Sequence, residues 1–303
     1  MNDTAFIGID WGTTNARAML FARDGTLQAE REMPLGAARV VAGGFPAAFA
    51  QLTATWRTPR GKLPVFLSGM VGSRQGWWEA PYLPCPVKLT ERPRRLVPVP
   101  GMAGVSIVPG LSRAGGGHAH ASGDVMRGEE LQLLGLGVRM KRFTTVCIPG
   151  THTKWVQAAW PFLKEFHTTM TGELFAAILG HTLFAKIIPE SGRLSRKLQE
   201  EPFIEGVLRS AEPHGLTTTL FGVRADLLLG KIAPSDVTDL ISGLLIGTEI
   251  RHWRTRSGAR PCGAVLAAAN IEERYLRAFR ILGVSAEAFD VKAVTATGFA
   301  TLA

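Results

Sequence analysis

Apolar and polar positions in the first thirty residues follow the pattern of short strands joined by tight turns. Residues 6–10 (FIGID) are an apolar run, residues 17–21 alternate, and Arg23-Asp24-Gly25-Thr26 is a turn before residues 27–32. This predicts a β-meander whose first turn is rich in Gly and Thr. Residues 47–56 carry apolar side chains at helical spacing, and residues 64–67 return to a buried strand that leads into Ser68-Gly69-Met70-Val71-Gly72-Ser73. Strands alternating with helices favour an α/β fold. Between 80 and 117 Pro and Gly are frequent, which predicts irregular connections around short strands such as 105–108. The stretch 113–123 (RAGGGHAHASG) is flexible by composition, and His118 and His120 lack the further ligands of a usual metal site.

A second unit of the same design follows. Residues 129–136 predict a short helix stopped by Gly135 and Gly137, and residues 144–148 a buried strand ending in another Gly-Thr turn. The segment 144–158 (TTVCIPGTHTKWVQA) thus echoes 6–21 (FIGIDWGTTNARAMLF), each with Gly-Thr after an apolar strand and a cation soon beyond. Such an echo suggests two related halves. The expected division is an N-terminal domain over 1–140 and a C-terminal domain over 141–303. In the second, 241–252 and 271–282 are candidate helices and 264–268 an intervening buried strand.

Composition narrows the classes. Of 303 residues 46% are hydrophobic and 19% charged, which excludes a disordered chain. No apolar stretch approaches a membrane span, and Asp3 and Asp10 stand where a signal peptide needs a basic and then an apolar region, so a cytoplasmic protein without a membrane partner is expected. Three widely spaced cysteines, Cys85, Cys147 and Cys262, fit free thiols in a reducing compartment better than a disulfide framework. The net charge of +9 suits small anionic ligands. Its cations are scattered apart from short clusters at 92–95 (RPRR) and 251–256 (RHWRTR), which suit a solvated face, and no nucleic-acid-reading module accompanies them.

Asp10 ends a predicted buried strand directly before Trp11-Gly12-Thr13-Thr14-Asn15, so a carboxylate, turn amides and two hydroxyls converge. Turn amides form an anion-binding concavity, and a carboxylate that holds magnesium-bound water offsets the charge of a triphosphate. One such turn is also what an Asp-capped β-turn looks like. The second, Gly150-Thr151-His152-Thr153 followed by Lys154, strengthens the phosphate reading.

In these residues the chain resembles the actin-like, hexokinase-like and Hsp70-like ATPases, and within them the 2-dehydro-3-deoxygalactonokinase family. The segments GIDWGTTNARA, SGMVGSRQGWWEAPYL, VMRGEELQLLG, IPGTHTKWVQ, MTGEL and SGLLIGTE carry the likeness, in this order and over nearly the whole chain. The resemblance implies a two-domain α/β fold of the ribonuclease H-like, actin-like type with an interdomain cleft. It also implies ATP-dependent phosphorylation of the terminal hydroxyl of 2-dehydro-3-deoxy-D-galactonate, with Mg2+, in galactonate breakdown. By this likeness Gly12, Thr13, Thr14, Gly150, Thr151, Thr153 and Lys154 hold phosphates, and Asp10 serves the metal. Glu129, after Gly128, stands where related carbohydrate kinases open a helix with Gly-Asp and use the carboxylate as base. Here the residue is Glu, an acidic first-turn residue is also favoured by the helix dipole, and Asp124 is the rival base.

Residues 70–78 combine small, polar and aromatic side chains after a strand, which suits a sugar-acid pocket containing Gly72, Ser73, Arg74 and Trp77, although each of Trp77 and Trp78 serves a core equally well. Arg74, Arg127 and Lys154 are candidate partners for carboxylate or phosphate. The run 265–270 (VLAAAN) stands at the adenosine loop of related kinases with alanines for glycines, so Ala268 and Asn270 are expected near the nucleotide with less room for it. The alternatives are a kinase for another sugar or sugar acid and a nucleotide-gated binding protein of the same fold. Whether copies assemble into a homo-oligomer stays open.

Overall fold

A computed structural model describes residues 4–57, 63–115, 122–143, 145–188, 198–257 and 263–303. His118, His120 and Cys262 lie outside these residues. The chain forms two compact units, one of residues 1–142, 157–166 and 291–303, the other of 143–156 and 167–290.

The first unit opens with β1 (Thr4–Trp11), β2 (Ala16–Ala22) and β3 (Leu27–Met33), followed by α1 (Phe45–Thr53) and β4 (Val65–Gly69). Where the sequence predicts irregular connections, the chain places β5 (Leu83–Pro84), β6 (Val87–Lys88), β7 (Val97–Pro98), β8 (Val105–Ile107) and β9 (Leu111–Arg113), then β10 (Asp124–Met126) and α2 (Glu129–Leu136). The main sheet has the order β3-β2-β1-β4-β8-β7, with β1, β4 and β8 parallel and the outer pairs antiparallel. A small sheet, β10-β9-β5, lies beside these in the chain.

Side chains alternate across β1. Ile7, Ile9 and Trp11 are fully buried in a core with Phe45, Phe49, Leu52, Val65 and Ile107. Gly8 and Asp10 take the opposite face.

After α2 come β11 (Thr145–Ile148), β12 (Thr153–Ala159), β13 (Phe162–Thr169), α3 (Thr171–His181), α4 (Glu200–Arg209), α5 (Leu216–Leu228), α6 (Val237–Ser257), β14 (Ala264–Ala267), α7 (Ala269–Ile281) and β15 (Glu287–Asp290), all in the second unit except for residues 157–166 of β12 and β13. Its sheet runs β15-β14-β11-β12-β13, with β11, β14 and β15 parallel. β6 follows on β13 through Phe162 and Leu163, in the stretch 157–166 that clusters with the first unit. The basic cluster in α6 is tied down locally: Arg251 donates to Ser210 Oγ at 2.9 Å and Arg254 to the Leu282 carbonyl at 2.7 Å, so the expected solvated face is corrected at these two positions. Cys85 and Cys147 form no disulfide among the described residues. No described helix is long and apolar enough to cross a membrane.

The last helix, α8 (Val291–Leu302), packs along α2 within the first unit. The contact depends on Gly135, where a Cβ would stand 1.7 Å from the Val294 carbonyl oxygen and 2.7 Å from the Gly298 nitrogen. Gly135→Ala is expected to push the helices apart and destabilise the protein by about 1–3 kcal/mol, the usual cost of overpacking a tight contact. Urea unfolding checks it; an unchanged midpoint would mean that the helices separate freely.

Candidate functional site

In the first unit the site grows from the carboxyl ends of β1 and β4, the end of a parallel sheet where ligands bind in open α/β folds. Asp10 is half-buried, paired across β1 with Arg17 and beside Ser68 of β4. The following turn closes by Gly12 N–H donating to the Asn15 carbonyl at 2.9 Å. Three further amides clasp it: Gly36 donates to the carbonyl of Thr14, Ala37 to that of Gly12 and Ala38 to that of Thr13, at 2.9 to 3.0 Å. Thr13 and Thr14 remain exposed at its tip.

Gly128, at φ +111, brings the start of α2 against Gly69. A side chain there would be strained in this backbone conformation. The helix then begins with two carboxylates that reach back: Glu129 Oε2 accepts from Arg127 N–H at 3.0 Å, and Glu130, fully buried, accepts from Gly128 N–H at 2.7 Å.

Burial pushes the Asp10 carboxyl up to about 6; Arg17 opposes this, while Glu129 and Glu32 reinforce it as neighbouring negative charges. Glu32 itself is held down by hydrogen bonds from Arg17, at 2.7 and 3.1 Å, and from Asn15. A carboxylate with more negative than positive company favours an added cation. Among the described residues no three His, Cys, Asp or Glu side chains form a metal cage.

Beside this corner Arg127 donates to the Ala80 carbonyl at 2.7 Å and lies 4.3 Å over the Tyr82 ring, with its guanidinium against Gly72. Its Nε and Nη1, together with Ser68 Oγ and Ser73 Oγ, are buried without a hydrogen-bond partner among the described residues. Leaving such groups unpaired costs about 1–3 kcal/mol each, so these groups are short of polar partners. The other pocket candidates stand differently. Trp77 packs on Phe49 at 5.3 Å and on Trp11 at 6.5 Å, which makes its ring part of the core's support, while Trp78 is exposed. Arg74 is exposed, with only a 3.6 Å ion pair to Glu79. Asp124 accepts from Val125 N–H and pairs in register with Arg113 on β9.

In the second unit the Gly150–Thr151 turn lines a cavity of about 340 Å³. Its other walls include Thr171, Gly172 and Phe175 of α3, Thr238 and Ser242 of α6, and Asn270, Arg274 and Tyr275 of α7. Glu173 N–H donates to the Thr151 carbonyl at 3.0 Å, and a Cβ on Gly172 would stand 2.4 Å from the Gly150 carbonyl oxygen, so the first turn of α3 sits directly on the Gly150–Thr151 turn. Thr153 and Lys154 are buried on β12, and the Thr153 hydroxyl bonds Tyr275 Oη at 2.9 Å. Of the expected adenosine loop, Asn270 reaches the cavity and Ala268 caps α7 outside its lining. Arg274 ion-pairs with buried Asp239, whose other oxygen accepts from Gln199 N–H at 3.0 Å. Glu249, Thr171, Tyr275 and Arg274 received no role from the sequence. The segments MTGEL and SGLLIGTE, which contain the first two, were the available signal.

A family model described as 2-keto-3-deoxy-galactonokinase matches residues 10–302. The 2-dehydro-3-deoxygalactonokinase of Escherichia coli (strain K12) is 34% identical over 278 residues, 92% of this chain and 90% of that protein. A crystal structure from Sinorhizobium meliloti, titled for the same kinase, superposes with a TM-score of 0.89 at 33% identity, covering 98% of this chain and 97% of that one. More distantly, the activator of 2-hydroxyisocaproyl-CoA dehydratase from Clostridium difficile shares the fold, with a TM-score of 0.50 at 10% identity over 98% of this chain and 94% of the activator. Likeness over nearly the full length, in model, sequence and structure, places the chain in the 2-keto-3-deoxy-galactonokinase family, on the actin- and hexokinase-like ATPase fold.

Proposed function

We propose that this chain transfers the γ-phosphoryl group of ATP to the terminal hydroxyl of 2-dehydro-3-deoxy-D-galactonate, giving the 6-phosphate and ADP. It is a carbohydrate kinase of its family, acting on the keto-deoxy sugar acid of galactonate breakdown. The observation that carries the residue assignment is the corner where Asp10, at the end of β1, shares its electrostatic surroundings with Glu129, at the start of α2.

Glu129 takes the proton from the attacking hydroxyl as the bond from that oxygen to the γ-phosphorus forms and the bond to the β-phosphate oxygen breaks. Phosphoryl transfer depends mainly on positioning and on stabilising charge, with the base adding to these. In the first unit the Gly12–Thr14 turn, and in the second the Gly150–Thr151 turn, each offer amides and hydroxyls to phosphate oxygens; Thr153, whose buried hydroxyl bonds Tyr275, and Lys154, buried on β12, back the second turn. Asp10 would hold a magnesium ion, which when bound would neutralise triphosphate charge. Arg127 meets the sugar-acid carboxylate, because an anion supplies what its unpaired Nε and Nη1 lack. Gly72 stands against the Arg127 guanidinium with Ser73 next to it in the chain, Trp77 packs on Phe49, and Arg74 is exposed.

The test compares ADP release with the keto-deoxy acid and with neutral galactose. The acid is expected to have a kcat/KM at least about a hundredfold higher, since a site built to pair a carboxylate rejects an analogue that leaves its partners unpaired. Comparable values would assign the chain to a different sugar.

A further inference from the structure

We propose that Glu249 is a positioning residue for the nucleotide, acting from behind the cavity wall by tying together α3 and α7, which line it, and β12, the strand after the Gly150–Thr151 turn. The inference rests on reading that cavity as the nucleotide site. Thr238, Ser242 and Ile246 line the cavity from α6, and their spacing of about one helical turn forms a stripe whose next member is Glu249. Glu249 is buried and does not line the cavity itself.

Its two carboxylate oxygens collect donors from three directions. Trp155 Nε1–H, on the strand after the phosphate turn, donates to Oε1 at 2.7 Å. Thr171 Oγ–H, at the start of α3, donates to Oε2. Tyr275 Oη lies 3.2 Å from both oxygens and also bonds the hydroxyl of Thr153. Thr171 and Tyr275 face the cavity, and the residue after Thr171 is Gly172, which touches the Gly150 carbonyl. One side chain on α6 therefore sets β12, the first turn of α3 and α7 relative to one another.

Buried polar networks of this kind rigidify when every member is satisfied and fail when one partner is removed. Burial raises the Glu249 carboxyl above the usual carboxylate range, and the donors from Thr171, Trp155 and Tyr275 oppose that rise. Glutamine can preserve the arrangement: its carbonyl accepts from Trp155, and its amide donates to Thr171 Oγ, whose own hydrogen turns to Thr169 Oγ at 3.1 Å. Leucine cannot.

The experiment is calorimetric titration of the full-length protein with ADP in magnesium buffer, beside steady-state kinetics. Glu249→Leu, folded by circular dichroism, is expected to weaken ADP at least tenfold and to raise KM for ATP similarly, with KM for the sugar acid within twofold. Glu249→Gln is expected within threefold of wild type. A role confined to stability would lower the melting temperature of the Leu variant and leave both nucleotide constants unmoved. Should the Leu variant not fold, Tyr275→Phe, which removes one hydroxyl, is expected to weaken ADP about threefold. Unchanged ADP affinity in whichever of these variants folds, or a Gln variant as weak as the Leu variant, overturns the inference alone. Wild-type protein that binds neither ADP nor ATP overturns the nucleotide reading of the cavity, and this inference with it.

Discussion

Glu129→Gln is expected to lower kcat by about two to four orders of magnitude, the usual worth of a positioned general base, while KM for ATP and for the sugar acid stays within about threefold. The substitution is informative because of how Glu129 is held. Its Oε2 accepts from Arg127 N–H at 3.0 Å, a contact that ties the carboxylate to the backbone just before α2. A glutamine carbonyl accepts the same bond, so the helix start survives and only the basicity is lost. Glu129→Ala would remove both, and comparing the two variants separates chemistry from structure. Removing the Glu129 charge also takes away one of the influences that raise Asp10. The residual activity of the Gln variant should then persist to lower pH than the wild type's. Stopped-time ADP assays across pH measure both effects. Near wild-type turnover would leave Glu129 a structural residue and make Asp124, on β10, the next base to test.

The sequence and the structure agree best where the signal is local. The strand ending at Asp10, the turn after it and the helix at 129–136 depend on neighbours within a few residues, and the helix bounds coincide with those observed. β13 and β15 carried too little pattern. Only Leu163 and Phe166 are buried in the former and no residue is fully buried in the latter, so neither shows the alternation of a half-buried strand. The strands between 80 and 113 are two or three residues long and exist through pairing with distant partners.

The candidate site divides the same way. The placement of Asp10 near a strand end, Gly12 in the turn after it and Glu129 at a helix start was legible locally. Glu249 was not, because its donors Trp155 and Thr171 stand 94 and 78 residues away and a glutamate on a long helix ordinarily signifies a solvated face. For Trp77 the local pattern left ligand contact and core equally open; its packing on Phe49 of α1 and Trp11 of β1 is a tertiary contact that no local pattern records.

Asp10→Asn is expected to make the ligand-free protein more stable and the enzyme far less active. The sign follows from the carboxyl being raised from 3.8 to about 6 in the fold. A carboxyl whose folded value lies above its unfolded one opposes folding when ionised; the penalty is absent below about pH 4, grows between 4 and 6, and is complete above 6. At about 1.4 kcal/mol per pH unit the ceiling is on the order of 3 kcal/mol, and the half-buried setting leaves about 1–2. The Asn variant should therefore melt several degrees higher than wild type at pH 7.5, with the difference vanishing toward pH 4. Turnover should fall at least about a hundredfold and the magnesium requirement should rise, because a neutral amide is a poor partner for the water shell of a hard cation. In the wild type, kcat/KM should decline below about pH 6 as Asp10 takes its proton, and magnesium should shift that limb to lower pH by favouring the ionised form. The Asn variant should lose the limb. Thermal melts in the absence of ligand, set beside magnesium titrations of activity, test both halves: a stabilised variant with normal magnesium dependence would mean that Asp10 is strained for some reason other than metal binding, and identical melting at every pH would remove the strain itself.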